Sequence, residues 1–234
     1  MLKAATIAPL SGHHTSTCIF MHGLGDSGYG WSDVAELLAK RLPNTKFILP
    51  HAPNRKVTMN GGVTMRAWYD FYGLSESDPQ DQSGIIQSAA SVLELVAAES
   101  KTTGIPRSKI IIGGFSQGGA VALTSGLLYK QITTDQPVSN DNFAGIMAIS
   151  TYLPIQDYFK ANLKDIATQT PILMTHGTVD GVVSYRWAKH SVKVMKEDLV
   201  CESVNFMSVA NLAHSVNAEV IYAMASFMKR VLKE

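Results

Sequence analysis

Short apolar runs alternate along the chain with stretches in which apolar residues recur every three or four positions. The runs occupy residues 17–21, 46–49, 109–112, 144–149, 172–175 and 203–207, and glycine, proline or polar residues close them. Runs of this length, without polar alternation, predict strands buried on both faces, as in a parallel sheet. Between them Val34, Leu37, Leu38 and Leu42 share one helical face. Ile86, Ala89, Ala90, Leu93 and Val96 share another, on a helix that should stop near Gly104 and Pro106. Residues 120–128 predict a buried helix, 187–195 an amphipathic one and 220–231 a C-terminal one. The alternation gives the fold class as α/β, an open, mostly parallel central sheet with helices on both faces. Residues 131–142 are polar and poor in helix formers and read as a surface loop.

Chemistry enters at Gly114-Phe115-Ser116-Gln117-Gly118, which lies between a predicted strand and an Ala-rich predicted helix. A serine flanked by small residues at a strand–helix turn is the setting of a nucleophile elbow, in which the hydroxyl is lifted clear of the sheet edge. The first amides of the helix then face a developing oxyanion. A serine nucleophile needs a base, and the base needs an orienting acid. In the α/β-hydrolase arrangement the chain order is serine, acid, histidine. Of the histidines after Ser116, His176 precedes the best acid and His190 lies inside a predicted helix. His214 follows the last predicted strand and is the expected base. Asp180 follows the predicted strand 172–175 and is the expected acid, whereas Asp135, Asp141, Asp157 and Asp165 read as surface carboxylates. Gln117 and, in the glycine-rich segment after the first predicted strand, Leu24 are the expected amide donors of an oxyanion hole. His22 reads as a support for that segment.

The segment 23–28 also matches a dinucleotide-binding fingerprint, but the second predicted strand ends in Leu49-Pro50-His51 without the acid that would hold a ribose. Residues 1–234 read as one domain, within the range of about 250 residues that single α/β domains reach. Twenty basic and nineteen acidic residues leave a net charge of +1, which does not point to nucleic acid as a partner. No metal-ligand spacing is present, and neither metal nor cofactor is expected. Two cysteines, Cys18 and Cys201, make no disulfide framework, and with no long apolar segment the chain reads as a cytoplasmic protein.

Several further blocks carry a resemblance. His22-Gly23-Leu24-Gly25-Asp26-Ser27-Gly28, Pro50-His51-Ala52-Pro53, Ala67-Trp68-Tyr69-Asp70, the 113–119 segment, His176-Gly177 with Asp180, and Ala213-His214-Ser215 occur in the order found in the acyl-protein thioesterases of the phospholipase/carboxylesterase family. The resemblance spans nearly the whole chain. It implies hydrolysis of fatty-acyl thioesters on S-acylated proteins by Ser116, Asp180 and His214, with transient contact at a membrane surface. The alternatives are a general carboxylesterase or lysophospholipase acting on lipid esters, and a catalytically silent binding protein of the same fold. An apolar acyl channel is implied beside Ser116, with Leu24, Tyr72, Leu74 and Val182 as its candidate walls. Thr178, Gly181 and Ser184 stand where the family usually has Asp, Pro and Pro, which implies a looser loop around the acid. Oligomeric state and chain-length preference stay open.

Overall fold

The apolar runs join one sheet because neighbouring parallel strands bury both of their faces under helices. In the computed structural model, which describes residues 2–132, 142–163 and 169–234, the first half contains β1 (Ala4–Ile7), β2 (Ser16–Met21), α1 (Ser32–Ala39), β3 (Thr45–Pro50), β4 (Asn54–Val57), β5 (Val63–Arg66) and α2 (Gln82–Thr103). Then follow β6 (Ile110–Phe115), α3 (Gln117–Leu127), α4 (Tyr129–Ile132), β7 (Gly145–Ile149) and α5 (Gln156–Asn162). The chain finishes with β8 (Ile172–Gly177), α6 (Tyr185–Lys193), β9 (Val204–Val209) and α7 (Ala218–Leu232). The main sheet has the order β1-β3-β2-β6-β7-β8-β9. Only β1 is antiparallel to its neighbour.

Side chains alternate across this sheet with the period of two that a strand imposes. Ile19, Met21, Ile110 and Ile112 face one core with α2, α3 and α6. Cys18, Phe20, Phe47 and Ile111 face the other with α1 and α7. Helix α2 begins where the Asp81 carboxylate accepts the Gly84 amide at 2.9 Å and ends at Gly104 in the left-handed conformation. Its buried stripe runs through Ile85, Ala89, Val92 and Val96, so Ile86 and Ala90 lie only at its margin. Leu37, expected on the inner face of α1, is 46% exposed. The edge strand β1 and the hairpin β4–β5 were outside the expected series, because neither carries an apolar run. Residues 133–141 of the expected loop, with Asp135 and Asp141, and also Asp165, lie outside the described residues.

Backbone packs closely where β2, β6 and the start of α3 meet. A Cβ on Gly114 would stand 2.2 Å from the Gly118 carbonyl oxygen, and a Cβ on Gly118 would stand 2.4 Å from that of Met21. Backbone meets backbone there, so neither glycine admits a side chain. Gly118→Ala should therefore lift α3 off the sheet and cost about 1–3 kcal/mol, as overpacking does. The urea midpoint measures this, and an unchanged midpoint would show that α3 can shift freely.

Candidate active site

Ser116 is the single residue between β6 and α3, with φ 53° and ψ −120°. A non-glycine residue pays strain in this region, of order 1–3 kcal/mol, and holds it only where its surroundings over-determine the turn. Here they do. The Ser116 amide donates to Ile149 of β7 at 2.9 Å, while its carbonyl accepts the Gly119 amide at 2.9 Å and the Thr151 hydroxyl at 2.7 Å. The Ser116 hydroxyl makes no cap to its own helix. It lines a cavity of about 510 Å³ together with His214, Leu24 and Gln117.

The glycine-rich segment after β2 is fastened by buried polar side chains. His22 accepts the Ala52 amide at Nε2 (3.0 Å), so its hydrogen sits on Nδ1 and is donated to the Gly23 carbonyl at 2.7 Å. Burial lowers the affinity of His22 for a second proton, which keeps this tautomer. Trp68 Nε1 donates to the His22 carbonyl at 2.8 Å. The Gln117 side chain in turn clamps that region, accepting the Trp68 amide and donating to the Tyr69 carbonyl, both at 2.8 Å. Among the described residues the Leu24 and Gln117 amides donate to no protein acceptor. Two fixed, unengaged amides beside a serine can hold an oxygen that becomes negative. The sequence marks Gln117 only by its amide and gives Trp68 no role in anchoring this segment. Their anchoring depends on contacts across more than forty residues, which no local pattern reports.

Asp180 and His214 sit in the connections after β8 and β9, the two adjacent strands at one side of the sheet. Asp180 Oδ1 accepts the Val182 and Val183 amides, both at 2.9 Å. Its Oδ2 lies 2.8 Å from His214 Nδ1 and 3.3 Å from His176 Nε2. Burial alone would push this carboxyl up. Hydrogen bonds from His176, His214 and the Val182 amide outweigh burial and hold it well below the usual carboxylate range. A carboxylate on Nδ1 leaves the opposite nitrogen of His214 as the one able to take a proton. The imidazole ring also packs on Phe115, centroid to centroid 4.7 Å. The looseness expected around the acid is not what the bonding shows: Thr178 Oγ1 accepts the Asn211 amide at 3.0 Å, and Ser184 Oγ caps α6 through the Trp187 amide at 3.2 Å.

Of the candidate wall residues, Leu24, Leu74 and Val182 line the cavity. Tyr72 does not. Phe71 pairs with Gln80 in an isolated antiparallel bridge, and successive side chains of an extended segment point opposite ways. Phe71 lines the cavity, while Tyr72 borders only a separate small void, which Phe71 also touches, with Asp78 and Trp187. Trp31, Val34 and Val216 complete the apolar wall. His190 is paired with Glu76 on the surface, away from this lining.

A parallel sheet of this order, with a serine at its central strand–helix turn and a buried carboxylate–imidazole pair two and three strands away, defines an α/β-hydrolase. The family model described as Phospholipase/Carboxylesterase matches residues 2–232, and the chain belongs to that family of hydrolases. It is 36% identical to an acyl-protein thioesterase 1 of Mycosarcoma maydis over 99% of this chain and 98% of that one. It is 38% identical to an acyl-protein thioesterase 1 of Schizosaccharomyces pombe over 94% and 92%. The crystal structure of Zea mays acyl-protein thioesterase 2 superposes with a TM-score of 0.87 at 32% identity, covering 99% of this chain and all of that one.

Two outcomes are expected from this geometry. A Cβ on Gly177 would lie 2.0 Å from the Leu212 carbonyl oxygen, so Gly177→Ala should push the His214 segment outward. A misplacement of about 1 Å can cost roughly a hundredfold in rate, so kcat should fall steeply, and the backbone clash should lower the thermal midpoint as well. Because the folded-state pKa of Asp180 is depressed, its ionised form stabilises the protein above the unfolded carboxyl value of about 3.9 and that share is lost as pH falls below it. Urea midpoints measured from pH 6 downward should drop less steeply for Asp180→Asn than for the parent protein.

Proposed function

We propose that the protein, as one domain over residues 1–234, hydrolyses fatty-acyl thioesters of S-acylated proteins through an acyl-enzyme on Ser116. The observation that carries the reading is convergence. A serine on a strained turn, two unengaged amides and a carboxylate-held imidazole belong to one largely apolar cavity. In this reaction His214 takes the Ser116 proton as the serine oxygen bonds to the acyl carbon. The Leu24 and Gln117 amides hold the oxyanion. The carbon–sulfur bond then breaks and the proton passes to the departing thiolate. Water repeats the sequence on the acyl-enzyme and releases the fatty acid. Asp180 keeps His214 in the required tautomer and stabilises the imidazolium.

Leu24, Leu74, Val182 and Phe71 are proposed to take the acyl chain. Leu74 and Val182, with Met59, are partly exposed at the mouth of the cavity, which supports a transient approach to a membrane surface where such chains reside. No helix among the described residues is long and apolar enough to cross a membrane. The cytoplasm, where S-acylated protein tails are presented, is the proposed place of action. Names of the relatives above support the thioester over the oxygen ester.

Ser116→Ala should abolish labelling by a fluorophosphonate probe and lower kcat by at least about a thousandfold. Labelling that persists at another residue sinks the assignment. Acyl-cysteine peptides and lysophospholipids of equal chain length, compared by kcat/KM, decide the substrate class. A preference for the lysophospholipid would favour the lipid-esterase alternative.

A further inference from the structure

The Asp180 carboxylate is shared by two imidazoles, and only one of them belongs to the proposed reaction. His176, at the end of β8, has a fully buried side chain. Its Nε2 lies 2.8 Å from the Val183 carbonyl and 3.3 Å from Asp180 Oδ2. Both neighbours are acceptors, so Nε2 carries the hydrogen. Its Nδ1 is buried with no partner among the described residues. A buried polar atom left without a partner is costly, so a residue that only needed to fill this space would do better without it. What His176 adds is one N–H aimed between the carboxylate and the carbonyl of the turn that carries it.

We infer that His176 is a positioning residue that fixes the Asp180 carboxylate for His214. It does so in two ways. The bond to Val183 ties the far side of the 180–183 turn to the strand. The contact with Oδ2 stops the carboxylate from rotating away from His214 Nδ1 and draws part of its negative charge. Gly181, inside that turn, has no neighbour around its Cβ position, so the turn gains no packing support there. The groups facing the cluster are few. Asp180 meets His176, His214 and the Val182 and Val183 amides, and His214 also meets the Phe115 ring. Tyr185 lies 6.4 Å from the His176 ring. Among the described residues, no other ionised side chain touches the carboxylate.

This rests on the proposed roles of Ser116, Asp180 and His214, and the experiment separates the two. Hydrolysis of a soluble p-nitrophenyl ester is followed from pH 5 to 9 in the full chain. Activity that survives Ser116→Ala would overturn the site assignment itself. With Ser116-dependent activity in hand, His176→Leu should lower kcat by about ten- to a hundredfold, the size found for partners one step removed from the reacting atoms, with KM nearly unchanged. A carboxylate that no longer shares its charge with His176 holds the His214 imidazolium more tightly. The acid limb of the kcat/KM profile should therefore move to higher pH. His176→Gln, which retains an N–H donor, should restore most of kcat and return the limb. On an Asp180→Asn background, removing His176 should cost little more, because its effect passes through the carboxylate. If His176→Leu does not fold, His176→Met takes its place in the same cycle. An unmoved limb, equal losses in the Leu and Gln variants, or a full cost on the Asp180→Asn background would each overturn the inference.

Discussion

Everything at the site depends on three stretches of backbone lying closer together than side chains allow. The end of β2, the end of β6 and the first turn of α3 touch through Gly114 and Gly118. That contact leaves Ser116 no relaxed conformation, and its bonds to Ile149, Gly119 and Thr151 hold it in the strained one. A looser joint would let the turn unwind toward ordinary dihedral angles. The hydroxyl would then sink toward the helix, and the Gln117 amide would lose its aim. The same closeness sets the adjoining 22–25 segment, whose carbonyl at His22 is gripped by Trp68 and whose neighbour Trp68 is gripped by Gln117. Serine turn and amide segment are thus one rigid body.

Asp180 and His214 reach this body by topology rather than by local geometry. β6, β7, β8 and β9 are adjacent and parallel, so their carboxyl ends share an edge. Connections leaving that edge bring His214 to the cavity that Ser116 lines, with Asp180 bonded behind it, although sixty-three residues of chain lie between Ser116 and Asp180. The Val182 amide bond that helps depress the Asp180 pKa also orders the turn, so charge and shape are set together there.

Legibility in the sequence followed the range of the interactions. The six buried strands and helices α1, α2, α3, α6 and α7 were readable, since periodicity is a local property that burial imposes, whereas the short α5 was not. Ser116, Asp180 and His214 were readable because motif and chain order restrict them. β1 and the β4–β5 hairpin were not, being only four residues long and placed where edge pairing decides. Nor were the anchoring by Trp68 and Gln117 or the second imidazole on Asp180, which exist only once distant segments meet. Tyr72 and Phe71 show the limit most plainly: adjacent aromatic residues, of which strand pleating selects one for the cavity.

The two cysteines have a consequence of their own. Cys18 lies fully inside the sheet, and burial pushes its thiol far up, while burial pushes Cys201 up to about 12. Acyl groups pass from thioesters to thiols through a thiolate, and burial disfavours that form at both sulfurs. Both sulfurs are thus withdrawn from nucleophilic chemistry, and the cavity presents the Ser116 oxygen and no cysteine sulfur.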